Sequence, residues 1–275
     1  MFIRPHSSAV ASGPMKLPSS LQRVVAKAGE VSRRAAQSAV INGRVTLNGS
    51  INRNPALPVQ TGDAVALDGR PLPTTTMPTV ERLWRYHKPR GLIVTHKDPH
   101  GRPTIFDELP SYLPRVVTVG RLDRESEGLL LLTTSGSLAR RLCHPTSQIT
   151  REYLTCVVTG GERAIRSSMV EQLEAGITLK EGFTFAPMRV ELVRRGFGGD
   201  PSGSGRQWVR MRLTEGKKHE VRRAWSEFGF SVTHLIRIAY GDFALDGLHA
   251  GDVAEVAPED VQSLSERLEA HHAQG

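Results

Sequence analysis

Leu129, Leu130, Leu131 and Leu132, an unbroken run between Gly128 and Thr133, constrain the fold more than any other segment of this chain. With no polar residue to turn toward water, the run reads as a fully buried strand. A buried strand needs neighbours, and strand-like runs recur at residues 83–87, 92–95, 116–119, 153–158, 188–193, 208–213 and 235–240. Helical patterns fall at 137–143, 162–175 and 218–228, the last with Val221, Ala224, Trp225 and Phe228 on one face and Gly229 as its stop. The expected larger domain is a mixed, mainly antiparallel sheet flanked by helices.

The N-terminal quarter is organised differently. Leu21, Val24, Val25 and Ala28 recur at helical spacing and stop at Gly29, and Ser32 can cap a second helix through Ala35, Ala36, Ala39 and Val40 to Gly43. Residues 44–47 then meet Asn48-Gly49, and 64–67 meet Asp68-Gly69, both favoured two-residue hairpin turns. Prolines and threonines from Pro71 onward cannot supply a regular apolar face, so a linker is expected there. The expected division is a basic flexible leader at 1–18, a helix-helix-hairpin module at 19–70, a linker at 71–79, the larger domain at 80–258 and a C-terminal helix or tail at 259–275. The fold class is α+β.

Thirty-six Lys and Arg against 28 Asp and Glu leave a formal charge of +8. That excess favours a polyanionic partner, yet it also suits a membrane surface or a merely solvated exterior. Five of these cations, Arg23, Lys27, Arg33, Arg34 and Arg44, crowd the helical pair with little opposition beyond Glu30. Such density suits phosphate contact. The two cysteines have no metal-ligand spacing, which argues for a reducing compartment and against a zinc cluster or disulfide framework. No apolar run approaches the roughly 20 residues that span a bilayer. The leader lacks acidic residues, as a mitochondrial transit peptide would, but its prolines interrupt any amphipathic helix, so a cytoplasmic placement is preferred. Residues 196–205, rich in glycine and serine, are expected to form a flexible hairpin connection.

Immediately before the leucines, Gly120-Arg121-Leu122-Asp123-Arg124 sets one carboxylate between two arginines. Taken alone, that arrangement is a salt bridge at least as readily as a catalytic site. Tyr153 and Leu235, taken alone, are core residues.

Two resemblances change the weighting. Residues 21–49, with Ser32-Arg33-Arg34 and Gly43-Arg44 through Asn48-Gly49, resemble the S-four RNA-binding module, whose basic second helix and hairpin grip RNA backbone; this implies phosphate contacts by Arg23, Arg33, Arg34 and Arg44. Gly120-Arg121-Leu122-Asp123, with Gly128 and the four leucines, resembles the signature of pseudouridine synthases of the RsuA/RluB group, which act on ribosomal RNA. Asp123 matches the catalytic aspartate, and Ser126 stands where threonine is common. Lys88-Pro89 with Gly101-Arg102-Pro103-Thr104 resembles a first motif, implying RNA contact by Lys88 and Arg102. Arg151-Glu152-Tyr153 resembles a second, in which Tyr153 stacks on the target base, with arginine in place of a common lysine; the Tyr153 hydroxyl is a candidate for removing the C5 proton, which makes Tyr153 a catalytic candidate beside Asp123 and Arg222. Residues 215–223 resemble a third, in which Arg222 pairs with Asp123, leaving Arg121 to reach toward RNA and Leu235 to lie beneath the uracil.

The implied activity is isomerisation of one uridine in ribosomal RNA by a monomer that uses no cofactor, metal or membrane. Large-subunit RNA is favoured over small-subunit RNA. The alternative is a non-catalytic RNA-binding ribosome-assembly factor that keeps the fold without a competent Asp123 pocket. The reaction suits the residues. Detaching uracil at N1 and rejoining it at C5 requires an anion against the ribose or base, a guanidinium that keeps that anion charged, and an aromatic face for the unstacked base.

Overall fold

The computed structural model describes residues 19–29, 31–73, 81–160, 164–193 and 205–273. The expected leader, most of the linker and the glycine-rich segment before Gly205 lie outside these. The chain divides into two compact units, residues 1–80 and 81–275.

In the first unit β1 (Ser19–Ser20) leads into α1 (Leu21–Ala28) and α2 (Arg33–Ile41), followed by β2 (Val45–Leu47), β3 (Ser50–Ile51), β4 (Pro58–Val59), β5 (Val65–Leu67) and β6 (Arg70–Leu72). The Ser32 side chain accepts a hydrogen bond from the Ala35 amide, capping α2 as its sequence implies. Leu21, Val25, Ala36, Ala39, Val40, Val45 and Val65 form the core between helices and sheet. Asn48 and Gly49 have φ of 51° and 81°, and Asp68 and Gly69 of 50° and 77°, the left-handed pair that a tight hairpin demands. The second hairpin needs a returning strand. Pro71 and Leu72, expected in the linker, therefore belong to β6, where Val65 faces Leu72. Because β6 is the edge of the order β3-β2-β5-β6, the missing Pro71 amide costs no central ladder bond.

The second unit contains β7 (Leu83–Lys88), α3 (Ile105–Glu108), β8 (Val117–Thr118), β9 (Glu127–Thr133), α4 (Gly136–Cys143), β10 (Arg151–Val158), α5 (Ser167–Ala175), β11 (Arg189–Val193), β12 (Arg206–Leu213), α6 (Glu220–Glu227), β13 (Ser231–Tyr240), β14 (Phe243–Ala244), β15 (Val253–Glu255) and α7 (Pro258–Ala273). Its sheet runs β11-β12-β10-β13-β9-β7-β15, with β8 on β9 and β14 on β13. Only β13 and β9 pair in parallel among the described strands. Leu130 and Leu132 enter one core with residues of α3, α5 and α6, while Leu129 and Leu131 enter another with α4 and α7. The leucine run is buried because both faces of its strand are covered.

The helix expected over 162–175 is α5, which begins at Ser167; residues 161–163 lie outside the described residues. Residues 92–95 are not a strand; a single bridge joins Ile93 to Thr104, and the chain then turns into α3 through a capping box between Thr104 and Asp107. The helix expected from residue 218 begins at Glu220, because His219 at φ 53° is left-handed. The expected C-terminal helix is α7, and its Val261, Leu264 and Leu268 are buried in the second core.

Candidate active site

Asp123 begins a tight turn closed by the Ser126 amide donating to its carbonyl at 3.0 Å. Gly120, at φ +70°, precedes it, and the buried Leu122 anchors the approach. Three elements hold the turn's backbone. The Gly91 amide donates to the Arg124 carbonyl at 2.8 Å. Lys88 Nζ, from the end of β7, donates to the Ser126 carbonyl at 2.8 Å and to that of Pro89 at 2.9 Å. Arg222, from α6, donates through Nη2 to the Glu125 carbonyl at 2.9 Å and through Nη1 to the Val232 carbonyl at 2.6 Å. The Glu125 carboxylate also pairs with Arg90 at 2.8 Å. The Asp123 carboxylate itself is 42% exposed, and among the described residues the one basic nitrogen within 4.0 Å of it is His219 Nε2, at 3.5 Å.

This geometry alters several expected roles. Arg222 does not pair with Asp123; its fork spans two backbone carbonyls, since the helix approaches the turn from the Glu125 side. Burial lowers the Arg222 pKa, and the negative charge of Asp123 opposes that. Lys88 cannot meet RNA because it is 0% exposed. Desolvation pulls its ammonium down to about 8, against the charges of Glu127, Asp123 and Glu125. Arg102 is held by Asp98 at 2.8 Å, and Arg44 by Asp68 at 2.8 Å, although both arginines remain exposed. Arg23, Arg33 and Arg34 are exposed on the first unit, and Arg121 is exposed. Tyr153 and Leu235 are buried in one core cluster with Leu122, and Tyr153 lies opposite Arg237 of β13 beside a register shift. They can form an apolar floor. Among the described residues no group of three or more His, Cys, Asp or Glu side chains could hold a metal.

His219 was not legible as a neighbour of Asp123. Its only sequence signal is its place in the segment that also carries Arg222. Beneath it, Glu220 is buried and accepts from the Lys217 amide at 2.8 Å. Burial, followed by the neighbouring Glu215, pushes the Glu220 carboxyl up. Glu215 is held ionised: burial works against it, but Lys217, Glu220 and the Ala186 amide overcome that. Since the folded pKa of Glu220 is raised, its contribution to stability is complete at acid pH and is lost as pH climbs from the ordinary carboxylate range through the elevated value. Glu220→Gln should flatten that part of the stability curve, as measured by urea melts across pH; an unaltered slope would refute the raised pKa of Glu220.

Comparison with known proteins agrees with this architecture. The RNA pseudouridylate synthase family model matches residues 82–227, and the S4 domain matches residues 20–65. Ribosomal large subunit pseudouridine synthase B of Xanthomonas campestris pv. campestris is 37% identical over 256 residues, 92% of this chain and 50% of that protein. An RNA pseudouridine synthase of Rickettsia bellii is 39% identical over 236 residues, covering 86% of this chain and 96% of the relative. A crystal structure of a pseudouridylate synthase superposes with a TM-score of 0.58 at 22% identity, covering 89% of this chain and 99% of that one, which shows the shared fold. A match to the pseudouridylate synthase family therefore follows a match to the S4 domain along this chain. The chain belongs to the RNA pseudouridylate synthase family. It spans about half the length of the Xanthomonas relative, 50%.

Proposed function

We propose that this protein converts a specific uridine of large-subunit ribosomal RNA to pseudouridine, with Asp123 as the catalytic carboxylate. The observation that carries the reading is the contrast at the turn: its backbone is fixed by Gly91, Lys88 and Arg222, while the carboxylate stays open to an incoming nucleotide. Such preorganisation is what a group acting on a flipped base requires. In the reaction the N1–C1′ bond breaks, uracil turns, a C5–C1′ bond forms, the C5 proton leaves and N1 gains one. Asp123 supplies the anion that this exchange needs, Tyr153 and Leu235 supply the floor for the base, and exposed Arg121 meets phosphate. The name of the Xanthomonas relative supports the large subunit as target. Exposed Arg23, Arg33 and Arg34 support RNA capture by the first unit. Two free cysteines support a reducing, cytoplasmic setting, in which we place the protein as a monomer.

The test is tritium release from C5-tritiated transcripts of both ribosomal RNAs. Release from the large-subunit transcript is expected. Binding without release from either transcript would favour the non-catalytic assembly factor. Arg222→Lys, which keeps the charge but loses the fork between the Glu125 and Val232 carbonyls, should lower kcat about tenfold or more with little change in KM. Wild-type kcat in that variant would remove Arg222 as a positioning residue.

A further inference from the structure

The hairpin between α5 and β11 carries an aromatic side chain that the core does not use. Phe185 is fully buried, whereas Phe183, two residues earlier, remains 39% exposed. The two rings meet edge to face at 5.2 Å. Two cations from the α6 region lie against the exposed ring: the Arg223 guanidinium carbon is 4.8 Å from its centre, and Lys217 Nζ is 5.0 Å away. Each is also fixed by a carboxylate, Arg223 by Glu181 and Lys217 by Glu215, and Lys217 donates to the Thr184 carbonyl at 2.9 Å. The cluster is ordered rather than a loose charged fringe.

Its position gives it a use. The Arg223 amide donates to the His219 carbonyl at 2.8 Å, so one turn of α6 joins the residue over Phe183 to the residue whose Nε2 faces Asp123. Ile177, Leu179 and Phe185 of the hairpin share a core cluster with Leu122 and Tyr153, so hairpin and aspartate turn lie on the same side of the sheet. A strand whose uridine is extruded at Asp123 has unstacked neighbours, and an exposed ring flanked by cations is the chemistry that receives such bases.

We propose that Phe183, with Lys217 and Arg223, is a stacking platform for a base of the substrate RNA next to the target uridine. The inference rests on the proposed function, and two readouts separate their failures. In the full-length protein, Phe183→Ala should raise KM for the large-subunit transcript about tenfold with kcat nearly unchanged, Phe183→Trp should restore KM, and the melting midpoint should not move. Irradiating wild-type protein bound to a 4-thiouridine-substituted large-subunit transcript should cross-link the peptide containing Phe183. That cross-link without tritium release would sink the synthase reading and leave the platform standing. Wild-type KM in Phe183→Ala, or cross-links confined to other peptides, would overturn the platform; a capture of protein rather than RNA by this face would do the same.

Discussion

Replacing Asp123 by Asn is expected to cut tritium release from the large-subunit transcript by about 100-fold to 10,000-fold or more, while the melting midpoint stays where it is. The two halves of that expectation have separate causes. Asn keeps the shape of the side chain but removes the charge, and the proposed reaction needs an anion at this point. Stability is largely spared because, among the described residues, the one basic nitrogen within 4.0 Å of the carboxylate is His219 Nε2, at 3.5 Å, with both side chains nearly half exposed. Pairs of that kind contribute little to folding. The turn is held through its backbone, by Gly91, Lys88 and Arg222, and those bonds survive the substitution. Activity retained in Asp123→Asn would mean that another group supplies the anion.

Gly128→Ala should produce the largest loss of stability. Gly128 sits at φ +103°, where side chains are strained, and a Cβ there would lie 2.3 Å from the Arg237 carbonyl oxygen and 2.7 Å from its nitrogen. Both obstacles are backbone, and they belong to the parallel pairing in which Arg237 faces Gly128. β9 and β13 must therefore separate locally, in the middle of the sheet and directly after the Asp123 turn. A cost on the order of 3 kcal/mol or more is expected, a fall of about 10 °C in the melting midpoint of the second unit, with activity lost alongside. A variant melting with the wild type would show that the two strands have room to part.

Local patterning carried much of this architecture, and tertiary geometry carried the rest. Four consecutive leucines announce a strand covered on both faces, and Asn48-Gly49 and Asp68-Gly69 announce their turns, because each signal is complete within a few residues. Residues 92–95 have a strand's composition but find only one bridging partner, a fact fixed by where α3 begins. The packing of α7 was hidden for the same reason: Val261, Leu264 and Leu268 show an apolar stripe without showing what it covers.

At the site, the position of Asp123 was legible from its motif, while its surroundings were not. A lysine normally reads as exposed, yet Lys88 is buried because two carbonyls receive its ammonium. The family resemblance implies that Arg222 pairs with Asp123, yet its guanidinium bonds the Glu125 and Val232 carbonyls. His219 owes its place against Asp123 to a left-handed residue at the start of α6, which no pattern in the chain displays.

The central claim meets its most direct test in carbodiimide mapping of pseudouridines in ribosomal RNA from cells with the gene, without it, and complemented by either wild-type protein or Asp123→Asn. One large-subunit pseudouridine should vanish with the gene, return with the wild-type protein and stay absent with Asp123→Asn. An identical pseudouridine map in all four strains would contradict the assignment.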